Sequence, residues 1–265
     1  MPNAKNATVH EKFVLIGGTG SGKTTQFLTL PGKKYAYIFE PAALSTLRGY
    51  DVDYDIFLPG AEEADIGAHT VLKDHKQTFD QPTVEPKVYL NWCEDINAKW
   101  EADFFSSYDA ILIDSLTLLG KHCLNRTQWL QRKAKRDDER TDYRIAGERL
   151  GNVALQLATL PCTILMTVHH EYRKNDTTSR LENRLTMPGS ARLIIPRTVS
   201  NIWVCSCEST KDKPDRYFVQ TRPSRENNSI RTSMRFSELK MYHDVTIDDL
   251  TTPEKYGIGG LLNAG

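Results

Sequence analysis

The sequence predicts an α/β domain with a mainly parallel sheet, helices on its faces and antiparallel strands at its C-terminal end. Up to residue 168, short apolar runs typical of buried strands alternate with longer segments of helical character. This order is typical of parallel sheets, because each parallel strand needs a crossover connection, usually a helix, to reach the next. After residue 168, two strand-like runs follow one another across a short turn, which indicates the antiparallel end.

The first half of the chain contains three predicted strands separated by helical segments. In order, we expect a strand at 13–16, a helix that ends near Pro31-Gly32, a strand at 34–40 closed by Pro41, one or two helical turns at 42–49, and a strand at 53–60 that ends in a Pro-Gly turn.

The second half begins with a predicted helix at 87–105, where apolar residues recur at helical spacing. Residues 109–114 (DAILID) have the continuous apolar character of a strand buried on both faces, as in the middle of a parallel sheet. The remaining predicted elements are helices at 115–136 and 143–160, the second stopped by Pro161, and strands at 162–168, 198–209 and 215–224.

We divide the chain into an N-terminal arm, one domain that contains a surface insertion and a basic loop, and a C-terminal tail. Residues 1–11 are predicted to be a flexible arm, 12–240 the domain, and 241–265 a C-terminal tail. Within the domain, 61–87 lack periodicity and are interpreted as a surface insertion. Residues 171–197 are polar, basic and irregular, which favours a long loop.

Composition excludes several classes of protein. With 39% apolar and 26% charged residues, the 265-residue chain is not disordered throughout. Its zero formal net charge argues against a uniformly cationic surface but allows a local basic groove. The five cysteines form no C-x-x-C pair, which favours a reduced compartment without a zinc site. The polar N-terminus and the lack of a bilayer-length apolar run predict a cytoplasmic protein that does not bind membranes.

A phosphate-binding loop is the strongest motif in the sequence. Residues 17–24 read GGTGSGKT and match G-x-x-x-x-G-K-[ST] between a predicted strand and a predicted helix. The glycines let successive backbone N–H groups turn toward a phosphate, and the following helix N-terminus adds its positive dipole. Lys23 would reach the β- and γ-phosphates and Thr24 would bind Mg²⁺, so we expect ATP and Mg²⁺ as cofactors. The predicted nucleotide-binding residues are Gly17, Gly18, Thr19, Gly20, Ser21, Gly22, Lys23, Thr24 and Thr25.

Two carboxylates follow predicted strands at positions suited to this chemistry. Asp114 ends the strand 109–114, where it would hold Mg²⁺, although Asp114 or Ser115 could also cap the next helix. Glu40 ends the second strand, where it could polarise the attacking water; alternatively, it simply ends the strand in solvent.

Other polar residues are candidates for sensing and completing the site. His169 or its neighbour His170 follows the strand 162–168 and could sense the γ-phosphate, or could be an ordinary surface or core residue. Arg222 and Arg225 follow the last clear strand and could supply charge to the site of a neighbouring subunit, or could form a solvated basic turn.

The loop 171–197 concentrates cations and is a candidate contact for single-stranded DNA. The cationic candidates are Arg173, Lys174, Arg180, Arg184, Arg192 and Arg197. A second patch at 131–140 could also contact nucleic acid, but its interspersed acidic residues fit an exposed helix end equally well.

In the order of these motifs, the sequence resembles the RecA-like P-loop ATPases. GGTGSGKTT, IFEPAALSTLRG and LIDSLTLL are most similar to short, core-only RecA-like proteins of bacteriophages, some of which act as single-strand annealing recombinases. The resemblance covers residues 12–225. It implies that Glu40 activates water, that Asp114 belongs to the Walker B strand, that 171–197 is the second DNA-binding loop, and that Arg222 and Arg225 act between subunits.

The resemblance favours an ATP-hydrolysing recombination or repair protein that binds single-stranded DNA and promotes annealing or strand pairing. It implies a homo-oligomer, as a ring or a filament, and a single-strand-binding or replication protein as a further partner. Two alternatives remain open: a ring-forming motor or helicase loader that acts on a protein, and a P-loop kinase for a small molecule.

Overall fold

The computed structural model describes residues 10–60, 84–136, 138–174, 181–211, 213–227, 229–233 and 240–263. Most of the predicted arm at 1–11 and most of the predicted insertion at 61–87 lie outside these ranges.

In the described ranges, ten strands form one large sheet and one separate hairpin. They are β1 (Lys12–Ile16), β2 (Lys34–Ile38), β3 (Val52–Ile56), β4 (Ala110–Asp114), β5 (Thr163–Val168), β6 (His170–Lys174), β7 (Leu181–Leu185), β8 (Asn201–Thr210), β9 (Lys213–Gln220) and β10 (Tyr242–Asp244). Eight of them make the large sheet, in the order β10-β9-β8-β1-β5-β4-β2-β3, and β6 pairs with β7. The neighbouring strands β8, β1, β5, β4, β2 and β3 pair in parallel, whereas β9 pairs antiparallel with both β8 and β10. The predicted α/β class, with its antiparallel C-terminal end, is confirmed.

Helices cover both faces of the large sheet. They are α1 (Lys23–Leu28), α2 (Pro41–Leu47), α3 (Val88–Glu101), α4 (Leu116–Lys133), α5 (Glu139–Ala158), α6 (Ala191–Thr198) and α7 (Gly257–Asn263), with short 3-10 turns at Phe104–Ser107 and Pro253–Lys255. Among the described residues, none of the helices combines the length and the apolar character that crossing a lipid bilayer requires.

The core consists of two apolar clusters, one on each face of the sheet. Alternate residues of β1 divide between them: Phe13 and Leu15 pack toward α1, whereas Val14 and Ile16 pack toward α4 and α5. Every residue of β1, β2 and β4 is buried, as their continuous apolar runs predict. Because β1, β2, β4 and β5 are parallel, their carboxyl ends meet at one edge, which positions the candidate site.

The interpretation of residues 171–197 as an irregular loop is wrong. The segment contains most of the β6–β7 hairpin and most of α6. Seven of the ten residues in these two strands are polar, so a local apolar pattern does not reveal them. They are stabilised by the ladder from His170↔Leu185 to Lys174↔Leu181.

Helix α6 and the residues before it dock tightly onto α4 and α5. A Cβ added at Gly120 would lie 2.9 Å from the Pro188 ring, and one at Gly147 would lie 2.5 Å from the Ser190 nitrogen. At Gly151 the Ile194 side chain would be 2.8 Å away. Three glycines therefore allow this close approach, which fixes the base of the β6–β7 hairpin.

The interpretation of residues 241–265 as a tail is also wrong for the part that is described. Strand β10 extends the large sheet, and Val245 and Ile258 are buried in the core against α1. The Gln26 side chain of α1 donates to the Val245 carbonyl oxygen at 2.9 Å and accepts from the Ile258 N–H at 3.0 Å. Ile258, Leu261 and Leu262 stand at helical spacing within α7 and pack on this cluster, so the sequence carries a short signal for this helix.

The close packing of α5 against the segment before α6 predicts that Gly147→Ala is destabilising. The added methyl group would meet the Ser190 backbone, which cannot rotate away as a flexible side chain can. We expect a loss of about 1–3 kcal/mol in the free energy of unfolding, measured by urea denaturation.

The control is Gly60→Ala, because no heavy atom of the described residues, its chain neighbours aside, lies within 4 Å of its added Cβ. The control should stay within about 0.5 kcal/mol of the parent. Equal stability of the two variants would contradict the packing argument.

Candidate functional site

The phosphate loop connects the carboxyl end of β1 to the start of α1. Gly20 and Gly22 have φ of +77° and +81°, the left-handed region that favours glycine. The Gly17 N–H donates to the Val168 carbonyl oxygen at 3.2 Å, which fastens the loop to the end of β5. The backbone therefore has the tight turn that the sequence motif requires.

Lys23 lies buried against this loop, with 7% of its surface exposed. Its Nζ donates to the carbonyl oxygens of Gly17 at 2.9 Å and Gly18 at 2.8 Å. Burial lowers the pKa of Lys23, and the negative charges of Asp114 and Glu40 partly oppose this. The ammonium group is thus held at the loop, where the charges of Asp114 and Glu40 act on it.

Asp114 is fixed by two hydroxyl groups at the end of β4. Thr24 Oγ1 donates to Asp114 Oδ2 at 2.6 Å, and Thr167 Oγ1 donates to Asp114 Oδ1. Only 2% of Asp114 is exposed, and this burial raises its pKa. Threonine and carboxylate oxygens are the hard ligands that Mg²⁺ accepts when phosphates and water complete its shell, so Thr24 and Asp114 fit the predicted metal.

Glu40 faces the same edge of the sheet from the end of β2. The Phe39 N–H donates to the Asp114 carbonyl oxygen at 2.6 Å, which sets β2 beside β4 at this point. Ser115 Oγ donates to Glu40 Oε1 at 2.5 Å, and His169 Nε2 lies 2.8 Å from the same oxygen. The pKa of Glu40 is lowered. The largest effect is the hydrogen bond with His169, which lowers it, and the next largest is burial, which acts in the opposite direction. The carboxylate is thereby kept ionised.

Ser115 also caps helix α4, since its Oγ accepts from the Leu118 N–H at 3.4 Å. The peptide bond between Asp114 and Ser115 is cis. The two roles considered for this pair are therefore divided between its members: Asp114 contacts Thr24, and Ser115 caps the helix.

His169 joins the site to the β6–β7 hairpin. Its N–H donates to Thr117 Oγ1 at 2.9 Å, and its carbonyl oxygen accepts from the Thr186 N–H at 3.0 Å. Its ring contacts Glu40, as described above. In the neighbouring His170, burial is the main cause that lowers the pKa, followed by the charge of Lys23.

Arg222 and Arg225 are not brought to this site. Both are exposed and follow β9, which is antiparallel to β8. The chain after Gln220 therefore runs back toward the amino-terminal edge of the parallel strands, away from the phosphate loop. Their role in a neighbouring subunit stays a prediction.

The candidate DNA-binding residues are spread over the β6–β7 hairpin and α6. Arg173 is exposed and forms an ion pair with Glu171 at 2.9 Å, and Arg184 is half-buried on β7. Arg192 and Arg197 are exposed on α6. Arg180 and the side chain of Lys174 lie outside the described residues.

The second basic patch, 131–140, contains the end of α4 and the start of α5. Helix α5 begins earlier than predicted, because Asp138 Oδ1 accepts from the Arg140 N–H at 3.1 Å and acidic residues occupy its first turn. At the end of α4, Lys133 Nζ lies 4.0 Å from the centre of the Trp129 ring.

Three contacts of the site were missed by the sequence analysis. Thr167 holds Asp114, Thr117 holds the His169 backbone, and the Tyr217 ring packs against Gly22. A polar residue within the apolar run CTILMTV is a signal that could have identified Thr167. The other two depend on distances between elements far apart in sequence.

Comparison with known proteins gives one family match and several solved structures. A KaiC-like protein from the hyperthermophilic archaeon Pyrococcus horikoshii OT3 has 14% identity and a TM-score of 0.43, over 92% of this chain and 87% of that one. The flagellar accessory protein FlaH from Methanocaldococcus jannaschii has 11% identity and a TM-score of 0.38, over 90% and 85%. No curated protein matches this chain.

The family model described as AAA domain matches residues 10–229. The match includes the phosphate loop, Glu40, Asp114 and the β6–β7 hairpin. The chain therefore belongs to this AAA-domain family.

Proposed function

We propose that this protein hydrolyses ATP with Mg²⁺ and uses the nucleotide state to control binding of single-stranded DNA, promoting annealing or strand pairing. One observation carries the proposal: the phosphate loop, Lys23, the Thr24–Asp114 pair and Glu40 converge at one edge of the sheet. These are the parts that positioning and charge stabilisation of a transferred phosphoryl group require.

The loop and Lys23 bind the polyphosphate. Loop N–H groups and the ammonium carry positive charge where negative charge develops during transfer, in a position fixed before the substrate arrives. Thr24 and Asp114 would hold Mg²⁺, which when bound neutralises charge on the phosphate oxygens. Thr167 keeps the Asp114 carboxylate in place from the opposite oxygen.

Glu40 orients the attacking water and accepts its proton. To do so the carboxylate must be ionised, and the hydrogen bonds from His169 and Ser115 favour the ionised form. Ser115 and His169 both contact Oε1 of Glu40, and neither of these two hydrogen bonds involves Oε2.

The nucleotide state reaches the β6–β7 hairpin through His169. The ring of this residue contacts Glu40, while its carbonyl oxygen is bonded to Thr186 directly after β7. A shift of Glu40 toward the attacking water would therefore change its contact with His169, the residue directly before β6. This is the contact through which hydrolysis would change the affinity for a strand.

The charge and aromatic content of the hairpin region favour a nucleic-acid strand as the partner. Residues 171–197 contain six cationic and three acidic side chains in a chain of zero net charge. Tyr172 on β6 is 57% exposed and could stack on a base, while nearby cations contact phosphates. We further propose a homo-oligomer in which Arg222 and Arg225 reach the nucleotide of a neighbouring subunit.

Glu40→Gln should retain ATP binding but hydrolyse ATP slower by a factor on the order of a hundred, because the amide cannot accept the proton. Lys23→Ala is the comparison variant and should lose nucleotide binding itself. Phosphate release and equilibrium nucleotide binding measure the two effects separately. Normal hydrolysis by Glu40→Gln would remove Glu40 from the mechanism.

His169→Ala should move the acid limb of the pH profile for kcat/KM to higher pH. The hydrogen bond from His169 lowers the pKa of Glu40; without it the pKa rises, and the carboxylate becomes protonated at a higher pH than in the parent. His10→Ala, at an exposed histidine, is the control and should leave the limb in place. An unmoved limb in His169→Ala would show that this contact does not set the ionisation of Glu40.

Single-stranded DNA should raise the rate of ATP turnover, and Arg192→Ala combined with Arg197→Ala should reduce this stimulation. Loss of two phosphate contacts should also lower the slope of log affinity against log salt by about 1.4. Fluorescence anisotropy with labelled oligothymidylate measures the affinity, and Arg48→Ala, exposed after α2, serves as the control. If DNA leaves the rate of ATP turnover unchanged and a protein partner raises it, a motor or helicase loader would be favoured instead.

A further inference from the structure

The β8–β9 hairpin extends beyond the edge of the sheet on which the phosphate loop lies. In the parallel pairing of β1 with β8, the last paired residues are Ile16 and Val204. Strand β8 continues for six more residues to Thr210, still paired with β9. Since β1 turns into the phosphate loop after Ile16, this part of the hairpin runs beside the loop.

Two contacts fix the hairpin against the loop. A Cβ added at Gly17 would lie 2.8 Å from the Cys205 carbonyl oxygen, and one at Gly22 would lie 2.9 Å from Cδ1 of Tyr217. The Tyr217 backbone is braced in turn, since its N–H donates to Thr246 Oγ1 at 2.9 Å and its carbonyl oxygen accepts from the Val245 N–H at 2.8 Å. The aromatic ring is thus held directly against the last glycine before Lys23.

The strand order determines which end of a nucleotide would meet this ring. Strands β5, β4 and β2 lie on one side of β1 and carry Asp114 and Glu40, whereas β8 and β9 lie on the other side. When the γ-phosphate faces these carboxylates, the opposite end of an extended triphosphate points toward β8 and β9. Tyr217 lies on that side and is half-buried.

We propose that Tyr217 forms the nucleoside subsite, where its ring packs against the base of the bound nucleoside triphosphate. This inference rests on the proposed function and adds a residue that determines affinity for the base. Tyrosine suits the role because its flat face stacks on any base, and the braced backbone lets the ring bind without first becoming ordered.

The test compares ATP with inorganic tripolyphosphate, which has the phosphates but no base. Tyr217→Leu keeps apolar volume against the core but removes the aromatic face, and Tyr217→Phe keeps that face. Tyr242→Leu, on the adjacent strand β10 with 52% exposure, is the matched control. Equilibrium competition gives both affinities, and thermal unfolding checks that each variant is folded.

We expect Tyr217→Leu to bind ATP on the order of tenfold more weakly, with unchanged affinity for tripolyphosphate. Tyr217→Phe and Tyr242→Leu should bind both ligands within about twofold of the parent, since neither loses the stacking surface. Parental ATP affinity in Tyr217→Leu would overturn the inference, as would an equal loss for both ligands, because the ring would then only shape the loop.

The affinities of the parent protein for ATP and tripolyphosphate distinguish a failure of this inference from a failure of the proposed function. If it binds tripolyphosphate as tightly as ATP, the nucleoside subsite is wrong while the phosphate site stands. If it binds neither ligand, the proposed function and this inference both fail.

Discussion

The carboxylate of Asp114, buried between two threonine hydroxyls, is the contact on which the rest of the site depends. Burying a carboxylate costs free energy unless hydrogen bonds replace the lost water, and Thr24 and Thr167 supply those bonds. The three residues come from α1, β5 and β4, so the bonds form only when β5 lies between β1 and β4. The strand order therefore sets the distance between the phosphate loop and the carboxylate, and Glu40 follows because β2 pairs with β4.

This dependence explains which parts of the site could be predicted from sequence. The phosphate loop is a local motif, and its conformation follows from glycines within a few residues of one another. Asp114 and Glu40 could be predicted because each ends a strongly apolar run, and parallel strands bring such ends to one edge. Thr167 and Tyr217 act through contacts with residues far away in the chain, and no local pattern specifies those distances.

The same reasoning explains the two segments that were interpreted wrongly. Strands β6 and β7 carry polar side chains at most positions. Their backbone hydrogen bonds to each other, rather than burial of an apolar face, hold them as strands. In residues 242–263, Val245 and Ile258 meet α1, and Gln26 satisfies the backbone groups beside them. Tertiary contacts stabilise both structures. The sequence pattern of β6 and β7 is too weak to indicate strands, whereas Ile258, Leu261 and Leu262 give α7 a helical spacing that the interpretation as a tail overlooks.

The glycine contacts beneath α6 limit how the protein can respond to its ligand. Pro188, Ser190 and Ile194 rest on Gly120, Gly147 and Gly151 with no space for a methyl group, so α6 cannot slide along α4 and α5 without separating from them. The β6–β7 hairpin, by contrast, is attached to this platform at its two ends. On the proposed function, a rearrangement begun at His169 would therefore displace the β6–β7 hairpin relative to α6, instead of moving α6 along α4 and α5.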